Sequence, residues 1–150
     1  MKTIGAKSGS EIQDAGAFIL NEQPVTEPGT HDLLVRIIAI GMNHIDTKVC
    51  KLFDNDAVLG WDAYGIVEKI GAGVTGFKAG DKVFYAGDIT RAGCSSQYHL
   101  VDHRIVGFAY FDNDSGQFAS PHPDAREPQK SETMVRVIEA VLAETRLQKT

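Results

Sequence analysis

The sequence predicts a mainly β fold, an antiparallel barrel built as one domain, from three observations. The chain has 150 residues, 43% of them hydrophobic, which suits a single core. Of its 15 glycines, 14 lie within residues 1–107, between short apolar runs where turns need them. These runs follow one another without helical patterns between them, so no βαβ unit and no parallel doubly wound sheet is expected there.

The clearest strand is Asp32 to Gly41. Its apolar residues alternate onto both faces, with Leu33 and Val35 on one and Leu34 and Ile38 on the other. We therefore expect this strand to be covered on both sides. Weaker strand patterns occupy Lys2 to Ala6, Phe18 to Glu22, Asp62 to Ile70, Lys82 to Ala86, and Ser96 to Val101 continuing towards Val106.

The composition changes after Gly107. Residues 108–130 are polar and contain three prolines, which predicts an irregular connection. Residues 131–147 predict a C-terminal amphipathic α-helix, which would either dock on the barrel or pair with its counterpart in a second chain. The apolar residues at helical spacing in that segment are Met134, Ile138, Val141 and Leu142.

Charge and hydropathy exclude several classes of function. The formal net charge is −5 and no basic cluster is present, which argues against a nucleic-acid partner. The most apolar stretch, Leu33 to Met42, is too short to span a membrane, and the N-terminus lacks a signal-peptide pattern, so a cytoplasmic protein is expected. Cys50 and Cys94 are the only cysteines, which indicates neither a disulfide framework nor a cysteine-rich zinc site.

One glycine motif invites a cofactor interpretation. Residues Gly71 to Gly76 satisfy the pattern GxGxxG and follow a predicted strand. A dinucleotide-binding motif of this kind must open a helix whose N-terminus meets the pyrophosphate. Here Gly80 and another predicted strand follow instead, so we interpret the glycines as a loop between two strands.

Several segments carry a resemblance to a known family. They are Asp32 to Arg36, Asn43 to Lys48, Leu59 to Gly65, Gly71 to Val83, Phe84 to Arg91, Gln97 with Tyr98, and Val101 to Val106. Together they resemble the medium-chain dehydrogenase/reductase superfamily, in its zinc-type alcohol dehydrogenase-like and quinone oxidoreductase-like branch. The resemblance implies that residues 1–107 form the GroES-like catalytic domain. That domain is a partly open β-barrel with short peripheral helices, and it faces a nucleotide-binding domain across the active-site cleft.

The sequence departs from the zinc-dependent members at their metal ligands. Those enzymes carry cysteine where Asn43 stands and a Gly-His-Glu triplet where Gly60-Trp61-Asp62 stands. An amide and an indole cannot replace a thiolate and an imidazole as zinc ligands. The four cysteines of the family's structural zinc lobe are also lacking, so we expect no zinc.

Without zinc, the resemblance implies hydride transfer from NADPH to a quinone or an enone. Asn43 would either donate a hydrogen bond to the substrate oxygen or cap the following helix. The acidic residues Asp46 and Asp62 would belong to the catalytic group, with Asp46 orienting its neighbours. Trp61 would fill the vacated metal pocket or stack on substrate, and His44 would contact the cofactor in an intact enzyme or lie exposed.

The expected activity of this chain by itself is low. A connection and one helix after Gly107 cannot build a Rossmann domain, so tight NADPH binding is not expected. Truncation, internal deletion and a shifted reading frame are alternative origins of such a chain. Two functions stay open: the catalytic-domain portion of a zinc-free oxidoreductase, or a non-catalytic binding or assembly module. Self-association would use the exposed cleft surface or the C-terminal helix.

Overall fold

The computed structural model describes residues 1–11, 14, 16–44, 46, 57–111 and 118–119. A short 3-10 helix at His103–Ile105 follows the seventh strand. The strands are β1 (Lys2–Ala6), β2 (Phe18–Glu22), β3 (Asp32–Gly41), β4 (Ala57–Val58), β5 (Asp62–Ile70), β6 (Lys82–Ala86), β7 (Tyr98–Asp102), β8 (Val106–Phe108), β9 (Tyr110–Phe111) and β10 (Phe118–Ala119).

The strands form antiparallel sheets, which confirms the mainly β class. A five-stranded sheet has the order β7-β3-β5-β6-β8, and a three-stranded sheet has the order β2-β1-β4. Strands β9 and β10 pair with each other, inside the segment for which the sequence predicts an irregular connection. Within the described ranges the sheets do not close into a complete barrel.

Strand β3 lies between β7 and β5 and is the longest strand described. Leu33 to Val35 are buried, as a strand covered on both faces requires. Ile38 is 39% exposed, however, because a register shift between Ile37 and Ala39 removes it from the regular pairing with β5. Coverage on both sides therefore applies only to the first half of the strand.

The main core lies on the five-stranded sheet. Its buried side chains come from four strands and from Cys94 in the loop before β7. A second, smaller cluster joins one residue of β1 to residues that precede β5. The main core consists of Leu33, Val35, Ala63, Val67, Val83, Tyr85, Cys94 and Val101, and the smaller cluster of Ala6, Leu59 and Trp61.

Backbone contacts join the two sheets along one line. Thr3 forms an isolated bridge with Ser96, and the N–H of Ile4 donates to the carbonyl of Ser95 at 2.7 Å. The N–H of Gln97 donates to Lys2 at 3.1 Å. These bonds place β1 against the segment that leads into β7.

The C-terminal helix predicted at 131–147 lies outside the described residues. Of the short helix predicted after Asn43, only His44 and Asp46 are described. His44 and Asp46 have helical backbone conformation. The helices in the described ranges include none that is long and apolar enough to cross a bilayer.

Candidate functional site

The candidate site lies where β3 ends and β5 begins. These strands are antiparallel, and Gly41 at the end of β3 is opposite Asp62 at the start of β5. Asn43 and Asp46 follow β3, whereas Gly60 and Trp61 precede β5. The topology therefore brings two segments, separated in the sequence, to one end of the sheet.

Asp46 holds the two segments together. Its side chain is buried, with 1% of the residue exposed. One carboxylate oxygen accepts the backbone N–H of Asn43 at 2.6 Å, and the other accepts that of Gly60 at 3.2 Å. The first bond is the N3-to-N-cap half of a capping box. The geometry places Asp46 as a link between the start of the helical residues and the Gly60 turn.

Gly60 has a specific reason to be glycine. Its φ is +83°, and an added Cβ would lie 3.0 Å from the hydroxyl oxygen of Ser95. A side chain at this position would therefore be strained and would displace the segment packed against it. The turn keeps the Gly60 N–H aimed at Asp46.

Asn43 and Asp62 are directly bonded. The side-chain amide of Asn43 donates to a carboxylate oxygen of Asp62. Asp62 is 7% exposed. Burial raises the pKa of the Asp62 carboxyl, the Asn43 hydrogen bond opposes that rise, and the nearby charge of Asp46 adds to it.

Trp61 packs in the smaller hydrophobic cluster with Ala6 and Leu59. The indole N–H donates to the carbonyl oxygen of Arg91 at 3.3 Å. The carbonyl of Trp61 accepts the N–H of Gly87 at 2.6 Å. The residue is 7% exposed, so the side chain is buried among these neighbours.

His44 differs from the other predicted site residues because it is exposed. Asn43 is half-buried, and Asp46, Trp61 and Asp62 are buried. The structure thus joins Asn43, Asp46 and Asp62 by hydrogen bonds, places the Trp61 indole in the neighbouring apolar cluster, and leaves His44 exposed.

Sequence reasoning missed Arg91. Its guanidinium makes two parallel hydrogen bonds to the carboxylate of Asp32, both at 2.9 Å. The pair lowers the pKa of Asp32 and raises that of Arg91. The two residues lie 59 positions apart, so no local pattern could indicate the contact.

The sequence also gives little indication of the buried pair formed by Tyr85 and His99. The Tyr85 hydroxyl lies 2.8 Å from Nδ1 of His99, and Nε2 of His99 lies 2.8 Å from the carbonyl of Ala92. The rings stack with centroids 5.5 Å apart. Burial lowers the pKa of His99 and raises that of Tyr85. A neutral His99 that donates from Nε2 and accepts at Nδ1 satisfies both contacts.

The described residues do not fit the zinc site of the zinc-dependent relatives. No group of three His, Cys, Asp or Glu side chains among them is arranged to hold a metal. The Asn43 amide nitrogen and the Trp61 indole nitrogen both act as donors. Cys94 is buried near the carbonyl of Asp62, and burial raises the pKa of its thiol to about 12, so the thiolate needed for a metal bond is disfavoured.

The GxGxxG residues form a tight loop between the antiparallel strands β5 and β6. The backbone N–H of Gly71 donates to the backbone carbonyl of Asp32, and that of Gly73 donates to the backbone carbonyl of Thr30, both at 2.8 Å. A Cβ on Gly71 would lie 1.9 Å from the carbonyl oxygen of Gly29. Residues 71–81, all of them described, contain turns and bends but no helix, so they do not fit a pyrophosphate cradle.

Comparison with known proteins identifies relatives of this fold. A zinc-type alcohol dehydrogenase-like protein of Staphylococcus aureus is 40% identical over 111 residues, which are 73% of this chain and 33% of that protein. The chain thus spans about one third of the length of the curated relatives it matches.

Solved structures give the same relationship. The crystal structure of a putative zinc-dependent alcohol dehydrogenase protein from Rhizobium etli matches with a TM-score of 0.69 and 41% identity, over 73% of this chain and 33% of that one. The Escherichia coli quinone oxidoreductase complexed with NADPH matches with a TM-score of 0.64 and 30% identity, over the same shares.

The model of the alcohol dehydrogenase GroES-like domain matches residues 29–121, more than half of the chain. This match extends beyond Gly107, where the resemblance seen in the sequence stops. Its described part includes the five-stranded sheet and the whole cluster around Asp46. The chain therefore belongs to the alcohol dehydrogenase GroES-like domain family.

Proposed function

We propose that this chain is the substrate-facing portion of a zinc-free, NADPH-dependent reductase of quinones or enones. The observation that carries the proposal is the hydrogen bond from the Asn43 amide to the buried Asp62. It gives the site a polar donor and a carboxyl group at the place where zinc-dependent relatives need metal ligands. Similarity to a quinone oxidoreductase solved with NADPH supports the reaction class.

Asn43 is proposed to hold the substrate oxygen. A carboxamide nitrogen has two N–H donors, and Asp62 accepts from one of them. The second would donate to a carbonyl oxygen, on which negative charge grows as hydride arrives. The capping alternative is compatible with this role, because an N-cap side chain accepts a backbone N–H through its oxygen, whereas the substrate bond would use the amide nitrogen.

Asp62 is proposed to supply or hold a proton at the same place. Because its pKa is raised, Asp62 holds a proton at higher pH than an ordinary aspartate does. A protonated carboxyl group can give its proton to the reduced oxygen. Asp46 is proposed to position Asn43 and the Gly60 turn, and Trp61 to form a wall of the substrate pocket. When bound, NADPH supplies the hydride.

NADPH itself is proposed to be held mainly by residues outside the described part of the chain. The GxGxxG loop does not fit the dinucleotide, whereas His44, the residue predicted to contact the cofactor, is exposed. The chain expressed alone is expected to bind NADPH weakly and to turn over little, because it spans about one third of the length of its curated relatives. A cytoplasmic location belongs to the same proposal.

A titration tests the cofactor part of this proposal. The 150-residue chain is titrated with NADPH while nicotinamide fluorescence is followed, and a quinone or an enone is then added. We expect at most weak binding and little oxidation of NADPH. Tight binding with turnover would overturn the expected inactivity of the chain while supporting the reductase chemistry.

A competition assay tests the zinc-free part. The chain competes with a chromogenic chelator for Zn²⁺, alongside a double variant, Asn43→Cys with Trp61→His, which restores the two ligand types of the zinc-dependent relatives. We expect the parent not to remove zinc from the chelator and the double variant to compete better. Stoichiometric capture of zinc by the parent would contradict the proposal.

A non-catalytic binding or assembly module is the second candidate, and one observation favours it. Ile4, Phe18 and Leu20 are 49%, 47% and 67% exposed, and Ile4 is opposite Leu20 in the β1–β2 pair. An apolar sheet face of this kind favours self-association or a protein partner. Light scattering after size-exclusion chromatography distinguishes a monomer from a homodimer. A monomer at high concentration argues against self-association through this face.

A further inference from the structure

The orientation of Trp61 depends on a carbonyl group supplied by a distant loop. The indole N–H is the only donor of a tryptophan side chain, and here it bonds to the carbonyl oxygen of Arg91 at 3.3 Å. The rest of the indole packs with apolar side chains, which restrict its rotation by shape but offer no hydrogen bond. The position of the Arg91 carbonyl therefore supplies the one directional bond that selects the indole orientation.

The Arg91 backbone is held on both sides. The guanidinium of Arg91 forms its two-bond pair with Asp32 on β3, with 35% and 17% of the two side chains exposed. The next carbonyl, that of Ala92, accepts from the buried ring of His99. The backbone N–H of Arg91 donates to the backbone carbonyl of Asp88 at 3.0 Å. These contacts fix the loop to the large sheet independently of its contact with Trp61.

The same loop is bonded along the segment that carries Trp61. The N–H groups of Gly93 and Ser95 donate to Val58 and Leu59 at 2.8 and 2.9 Å. An added Cβ on Gly93 would lie 2.3 Å from the carbonyl oxygen of Leu59, so the two backbones are in close contact. Movement of the loop would therefore be transmitted directly to the pocket wall.

We propose that Arg91 is a positioning residue of the substrate pocket: its two-bond pair with Asp32 fixes the carbonyl that orients the Trp61 indole. Arg91 does not touch substrate in this role, and it acts only through Trp61. The inference rests on the proposed function for the meaning of the pocket, but the geometric claim concerns Trp61 alone.

The chain offers a direct measurement, because Trp61 is its one tryptophan. Intrinsic fluorescence and acrylamide quenching therefore report only on this indole. The variants are Arg91→Gln, Asp32→Asn and Arg91→Lys. The matched control is Arg104→Gln, because Arg104 makes a similar two-bond pair with Asp102 without contributing the acceptor for Trp61.

We expect Arg91→Gln and Asp32→Asn to shift the emission to longer wavelength and to raise the quenching constant, in chains whose far-UV circular dichroism is native. Arg91→Lys keeps the charge but not the two parallel bonds, so an intermediate shift is expected. Arg104→Gln should leave both readings unchanged.

Native emission and quenching in Arg91→Gln and Asp32→Asn would overturn the proposal, as would an equal shift in the Arg104→Gln control. If Arg91→Gln fails to fold, the same two readings on Arg91→Lys decide the question. All readings are taken without NADPH or substrate, so a chain without reductase activity would still give a result. Failure of the proposed function and failure of this inference are thus separate outcomes.

Discussion

At the scale of single residues, Asp46 is expected to be the most sensitive polar position of the site. It is 1% exposed and accepts two backbone N–H groups. Asp46→Asn keeps one acceptor oxygen but presents an NH₂ group to the second donor. The unsatisfied donor should lower the free energy of unfolding by about 1 to 3 kcal/mol, as measured by urea denaturation.

Asp14 provides the matched control for that experiment. Its carboxylate also accepts the N–H of the residue three positions earlier, Glu11, at 2.8 Å, but the residue is exposed. Asp14→Asn should change the free energy of unfolding by no more than about 0.5 kcal/mol. Equal effects of the two substitutions would show that Asp46 does not link buried segments.

Asp62 should give the site a distinctive pH dependence. Burial raises its pKa above the ordinary value of 3.8, so the folded state binds a proton at higher pH than the unfolded state does. Between those two pKa values, the contribution of Asp62 to the free energy of unfolding falls as pH rises. Asp62→Asn should therefore be more stable than the parent at neutral pH, and the difference should shrink as pH falls.

Asp88 should have the opposite effect on how stability changes with pH. Its pKa is lowered, first by the backbone N–H of Thr90 and then by the Thr90 hydroxyl. Asp88→Asn should therefore be less stable than the parent at neutral pH, and that loss should shrink as pH falls. Denaturation of the parent, Asp62→Asn and Asp88→Asn across a pH series measures both pH dependences. Parallel curves for Asp62→Asn and the parent would contradict the prediction.

The site illustrates which contacts a sequence can indicate. The bond between Asp46 and the N–H of Asn43 is local, since it joins residues three positions apart, and the capping pattern is visible in the sequence. The bonds from Trp61 to Arg91 and from Arg91 to Asp32 span 30 and 59 positions. Such contacts depend on strand pairing, so the role of Arg91 could not be predicted from its neighbours.

At the scale of elements, the loop between β5 and β6 tests the structural interpretation of the GxGxxG motif. A Cβ on Gly71 would meet the carbonyl oxygen of Gly29 at 1.9 Å, and backbone atoms cannot rotate away. Gly71→Ala should lower the free energy of unfolding by about 1 to 3 kcal/mol or more, as overpacking does. Thermal denaturation followed by circular dichroism measures this loss.

Gly76 is the control within the same motif. It has a φ of +83° but no atom within 4 Å of an added Cβ, so Gly76→Ala should cost only the backbone strain, about 1 to 2 kcal/mol. A greater loss at Gly76 than at Gly71 would show that the close approach to Gly29 does not determine the need for glycine.

The strands themselves were predictable because their pattern is local. Alternating apolar residues and flanking glycines locate β1, β2, β3, β5 and β6 within residues 2–86, and the observed bounds agree. The register shift at Ile37 and Ala39 was not predictable, since it depends on the pairing with β5. The same holds for the split into two sheets, because it is fixed by contacts such as Thr3 with Ser96.

At the scale of the whole molecule, the two sheets should differ in stability. Among the described residues, the five-stranded sheet carries a core of eight buried residues, whereas the smaller cluster has three and the outer face of β1 and β2 is exposed. Regions with fewer buried apolar contacts open at lower free energy. Native-state hydrogen exchange should therefore show slower exchange in β3 and β5 than in β1 and β2.

A pair of substitutions tests the same asymmetry at equilibrium. Val67 on β5 is 1% exposed, so Val67→Ala should lower the free energy of unfolding by about 2 to 3 kcal/mol. Leu20 on β2 is 67% exposed, so Leu20→Ala should change it by no more than about 0.5 kcal/mol. A greater loss for Leu20→Ala than for Val67→Ala would contradict this asymmetry. It would show that the face of β1 and β2 is covered in solution, as in a self-associated form of the chain.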